Sequence, residues 1–132
     1  MTRTAVNSAT APAAIGPYSQ GVWTDDLLFL SGQTPIDPST GALVPGDVSA
    51  QTERVFDNLG AVLAEAGLSF DEVIKCNVFL VSMKDFAIMN DAYRRRFCAP
   101  FPARTTVAVA ELPMGARVEI ELVARRRSRG AV

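Results

Sequence analysis

Apolar residues Val55, Leu59, Val62, Leu63 and Ala66 recur at helical spacing and predict a helix over about 48–66. Asp47 stands where an N-cap belongs, and Gly67 where a left-handed residue would close the last turn. The run "VIKCNVFLV" at 73–81 alternates instead, as a strand does. Its Ile74, Cys76, Val78 and Leu80 form one apolar face, while Val73, Lys75, Asn77, Phe79 and Val81 make the other partly apolar too. A second helical stripe, Phe86, Met89, Tyr93 and Phe97, predicts a helix over 83–97, with Ser82 as N-cap and Asp85 as an acidic relative of a capping box. Asn90 shares that stripe.

The segments around these elements read as strands and turns. "YSQGVWTDDLLFLS" at 18–31 predicts two short strands joined at Asp25 and Asp26, followed by a glycine- and proline-rich loop with one short extended piece at 42–44. Two final strands, 104–110 and 117–124, flank the turn-rich "ELPMGA". In the last of them Val118, Ile120, Leu122 and Ala124 share one face, against Arg117, Glu119, Glu121 and Val123 on the other. The order of strands and helices points to an α+β single domain, a mostly antiparallel sheet with both helices on one face. The opposite sheet face, assigned here Arg104, Glu119 and Phe79, would lie open in a monomer, and self-association through it would cover the apolar part. One domain is expected over 1–132, with 1–14 and 126–132 as flexible ends.

Composition narrows the chemistry. The chain of 132 residues is 48% hydrophobic and 20% charged, which favours a packed core over disorder. A net charge of −1 gives no global attraction to nucleic acid or anionic membranes, and the basic run "RRRSRG" at 125–130 reads as a solvated tail. Neither a signal-like apolar core near residue 1 nor a stretch long enough to span a membrane is present, so a soluble cytoplasmic protein is expected. Cys76 and Cys98 form no CxxC motif, and there is no histidine, so imidazole bases and His-ligated zinc are excluded.

Several residues stand out as candidate chemistry. Arg104 at the mouth of a strand is either a solvated or salt-bridged edge residue or a planar fork for a substrate carboxylate. Thr106 shares its face. Glu119 could act as general base if a partly dry pocket raises its pKa, but alternation does not separate it from Glu121. Asn90 either ties down a loop carbonyl or reaches a ligand or a neighbouring subunit. Tyr18 follows a Gly-Pro corner, and Ser31 and Gly32 close the second strand of the 18–31 pair.

Taken together, "APAAIGPYSQGV", "LFLSGQTPIDPSTGAL", the long run from Gln51 to Tyr93, and "FPARTTVAVAELPMGARVEIELVA" resemble the Rid/YjgF family of reactive intermediate deaminases over nearly the whole chain. The resemblance implies a chorismate-mutase-like fold and a homotrimer whose sheets form a central barrel, with sites at subunit interfaces. It implies hydrolysis of 2-iminobutanoate and 2-iminopropanoate to 2-oxo acids and ammonia, with no metal or cofactor. It maps a carboxylate-binding arginine onto Arg104, a water-associated glutamate onto Glu119, and other pocket positions onto Tyr18, Ser31, Gly32 and Asn90. Thr106 occupies a position where many family members carry cysteine. The alternatives are a deaminase for another imine in a catabolic pathway, or a non-catalytic module that binds 2-oxo acids or acts as a chaperone-like partner; RNA is disfavoured by the charge balance.

Overall fold

The computed structural model describes residues 2–127. Its elements in chain order are β1 (Thr4–Val6), β2 (Gly21–Thr24), β3 (Leu27–Gln33), α1 (Val48–Glu65), β4 (Val73–Leu80), α2 (Phe86–Arg94), β5 (Ala103–Ala108) and β6 (Val118–Arg125). The strands form one sheet in the order β1-β2-β3-β6-β4-β5. Neighbouring strands pair antiparallel except β4 and β5, which are parallel and are joined through α2. A parallel pair needs such a crossover, and here α2 supplies it while covering the same sheet face as α1.

The helices form where the apolar stripes predicted them. Asp47 accepts a hydrogen bond from the Ala50 amide at 3.0 Å, and Gly67 takes φ +77, so α1 is closed at both ends as its sequence suggested. Val55, Phe56, Leu59, Val62 and Leu63 are wholly buried against Leu28, Val78, Leu80, Val118 and Ile120. Phe56 meets Phe70, Tyr93 and Phe97 edge-on at 5.7 to 5.9 Å, tying α1 to α2. Each such ring pair contributes about 0.5–1.5 kcal/mol beyond its burial.

Four expectations change. Residues 4–6 are an edge strand rather than a flexible end, because buried Gln20 accepts from the Ser8 amide at 2.6 Å and donates to the Pro12 carbonyl at 2.8 Å. The start of β4 carries a bulge between Val73 and Lys75, so Val73 enters the core and Ile74 turns out to solvent, the reverse of simple alternation. The second helix opens with a 3-10 turn at Met83–Asp85 and ends at Arg94; Asp85 binds Arg117 at 2.8 Å instead of closing a capping box. Arg126 stacks on Trp23 at 4.1 Å, and Arg127 pairs with Glu72 at 2.8 Å, so the tail is held that far; residues 128–132 of the expected flexible end lie outside the described residues.

Candidate functional site

Arg104 lies on β5 opposite Cys76, a core residue of β4, and parallel pairing sends both side chains to the helix-covered face. This corrects its expected place on the open face: "ARTT" has too little contrast between polar and apolar positions to show which side is inward. The guanidinium donates to Asn90 Oδ1 at 2.7 Å and lies over the Tyr93 ring at 4.7 Å and the Phe86 ring at 5.6 Å. Among the described residues, no carboxylate forms an ion pair with it. Arg104, Asn90, Tyr93, Arg94, Phe101 and Pro102 line a groove of about 380 Å³ at this sheet edge.

Thr106 shares Arg104's face, two residues along, opposite Val78. Its hydroxyl is buried and has no hydrogen-bond partner among the described residues, and Thr106 does not line the groove.

Glu119 is opposite Phe79 in β6, on the other face of the sheet. Its carboxylate packs directly over Gly32, where the β3 register is irregular between Leu30 and Gln33. A Cβ at Gly32 would stand 2.9 Å from the Glu119 carboxyl carbon, so glycine is what permits this approach. Burial, reinforced by the neighbouring Glu121 charge, holds the Glu119 carboxyl above the usual carboxylate range. Glu121 accepts from Asn77 Nδ2 at 2.9 Å, whereas Glu119 makes no such bond among the described residues. The two glutamates that alternation could not separate are thus distinguished by their partners.

Ser31 and Tyr18 organise the loop beside this carboxylate. Ser31 Oγ donates to the Ser19 carbonyl at 2.7 Å, and its amide donates to Gln20 O at 3.0 Å. Tyr18 is half exposed, and its hydroxyl accepts from the Ile15 amide at 3.3 Å. Ser31 also borders a hollow of about 240 Å³ on the open face, with Phe29, Asn77 and Glu121.

The seven candidate residues therefore fall into two sets. Arg104, Asn90 and Thr106 face the helix side at the β5 edge; Glu119, Gly32 and Ser31 lie along β3 and β6, with Tyr18 on the loop that Ser31 secures. Tyr93 and Phe86 were read from the sequence only as core. Their spacing of three and four residues from Asn90 places all three on one side of α2, which was the available sign that they belong with it. Among the described residues, no group of three His, Cys, Asp or Glu is placed to hold a metal ion, and no helix is long and apolar enough to cross a membrane.

Comparison with known proteins identifies the family. Residues 8–126 match the family described as Endoribonuclease L-PSP. Protein DfrA of Myxococcus xanthus is 52% identical over 94% of this chain and 96% of its own length. The 2-iminobutanoate/2-iminopropanoate deaminase of Bos taurus is 45% identical over 94% of this chain and 90% of its own. The crystal structure of Escherichia coli TdcF with bound serine superposes with a TM-score of 0.88 at 38% identity, covering 94% of this chain and 99% of that one. With its two helices packed on a mixed sheet and its sequence matched from end to end of the sheet, the chain belongs to the Rid/YjgF family.

Proposed function

We propose that this protein hydrolyses small 2-imino acids, 2-iminobutanoate and 2-iminopropanoate, to 2-oxo acids and ammonia. The observation that carries the reading is Arg104: a guanidinium beside an open groove, oriented by an amide and two aromatic faces, with its charge left for a ligand. Relatives named as deaminases for these two imines support the substrate class, as does the serine bound to TdcF, a small amino acid with a carboxylate.

In the reaction, Arg104 pairs bidentately with the substrate carboxylate and sets the imine carbon in a fixed place. Water adds to the carbon of the protonated imine, the C=N π pair moves to nitrogen, and the proton lost by the water passes to Glu119, giving a carbinolamine. Glu119 returns that proton to nitrogen; the C–N bond breaks with its electron pair leaving on ammonia, the hydroxyl oxygen closes to the carbonyl of the 2-oxo acid, and the hydroxyl proton leaves with the ammonia as ammonium. A carboxylate with a raised pKa suits both transfers.

Arg104 and Glu119 lie on opposite sides of their own sheet, so we place each working site between copies of the chain. Arg104 and Asn90 come from one copy; Glu119, Gly32, Ser31 and Tyr18 come from its neighbour. The half-exposed Phe29 and Val107 on the uncovered face give those copies apolar surface to bury in a trimer. No metal or cofactor takes part.

The test couples a threonine dehydratase, which releases 2-iminobutanoate, to the appearance of 2-oxobutanoate with and without this protein. Acceleration is expected. Its absence, with 2-oxobutanoate still bound, would identify a binding module instead of an enzyme.

A further inference from the structure

Of the arginines that stack on aromatic rings, Arg96 and Arg104 differ in what else they touch. Arg96 lies over Phe56 at 5.6 Å and is also paired with Glu53 at 2.8 Å and Asp57 at 2.9 Å, so its charge is neutralised internally. Arg104 lies closer to its ring, 4.7 Å over Tyr93, and its hydrogen-bond partner is the neutral oxygen of Asn90. The first arrangement fastens the turn that follows α2 onto α1. The second holds a cation still without cancelling it.

We infer that Tyr93 is a positioning residue for Arg104, acting through its ring face and not its hydroxyl, with Asn90 as a neutral latch. This rests on the carboxylate-binding reading of Arg104. A free arginine samples many rotamers and loses that freedom when it binds an anion; a guanidinium already seated on a ring and tied at one nitrogen has lost much of it beforehand. An acidic residue in the latch position would orient Arg104 equally well but would compete with the substrate for the same fork. The Tyr93 hydroxyl does not share the work directly, because it is buried beside the Cys76 thiol and makes no hydrogen bond to Arg104 among the described residues. The ring itself is fixed from behind by Phe56 at 5.7 Å and Phe97 at 4.8 Å, so the shelf is built into the contact between the helices.

The experiment measures 2-oxobutanoate binding by calorimetry, where no turnover is needed, alongside KM and kcat for 2-iminobutanoate. Tyr93→Leu removes the face and is expected to weaken 2-oxobutanoate about tenfold and raise KM equally, with kcat within about twofold. Tyr93→Phe keeps the face and is expected to rescue binding to within about twofold of the original. Asn90→Asp preserves shape while adding a competing charge; it should weaken binding more than tenfold near neutrality and recover as acid protonates the new carboxyl. This isosteric variant guards against Tyr93→Leu failing to fold. Equal defects in Tyr93→Phe and Tyr93→Leu, undiminished binding by Asn90→Asp, or no binding of 2-oxobutanoate by the original protein would each overturn the inference. Binding that follows the expected order without any turnover would leave it standing and remove only the deaminase reading.

Discussion

On the helix-covered side of β5, Arg104 is held by an amide and two rings; on the far side of the same sheet, Glu119 lies over a glycine with no hydrogen-bond donor on its carboxylate among the described residues. One region steadies a charge by surrounding it with neutral groups, and the other makes a charge costly by burial. The contrast teaches what each can do: the first suits binding an anion, the second suits accepting and returning a proton. Because a sheet separates them, neither half serves the other within a single chain.

The strongest way to break that division of labour is Arg104→Ala, which should remove at least about 100-fold from kcat/KM for 2-iminobutanoate while leaving the protein's sedimentation unchanged. An active variant would end the anchor role. Next comes mixing: Arg104→Ala and Glu119→Gln, each inactive alone, should regain about a quarter of the original rate when their subunits are randomly reassorted, since that fraction of junctions joins an intact Arg104 to an intact Glu119. No recovery after verified exchange would place both residues in one chain's site.

Gly32→Ala sharpens the other half. The added methyl meets the end of the Glu119 side chain, which can swing aside, so kcat should fall about tenfold while the melting midpoint scarcely moves. The pH response of Glu119 is subtler. Its folded-state carboxyl sits above the usual value, so the folded chain binds more protons between the two values and loses stability as pH rises through that window. Glu119→Gln should therefore melt slightly higher than the original at neutral pH, and the advantage should disappear below the usual carboxylate range. Asp47→Ala, remote from both halves, calibrates pure stability: a loss of about 1 kcal/mol in urea titration with kcat intact.

How much of this was legible in the sequence depends on which physical signal carried it. The stripe from Val55 to Ala66 and its two caps are local, and α1 matches them to within a residue. The Val73 bulge was not legible, because one extra residue inverts alternation and only the β6 partner reveals it. Strand β1 was missed because three residues, two of them exposed, carry almost no pattern; a distant glutamine secures the segment that follows. For the candidate site, residue types and the Arg104–Thr106 alternation were readable, but the side of the sheet was not. That follows from the parallel β4–β5 pairing, a relation between segments separated by a helix.

Cys76 lies one strand inward from Arg104, opposite it in the ladder. Burial raises its thiol to about 11, so near neutrality it is kept protonated and is not the thiolate that attacks peroxides and disulfides. The arginine's immediate inner neighbour is therefore chemically quiet under oxidative stress. Of the two cysteines it is Cys98, exposed to solvent, that stands open to oxidants, while the thiol beside Arg104 is shut away from them.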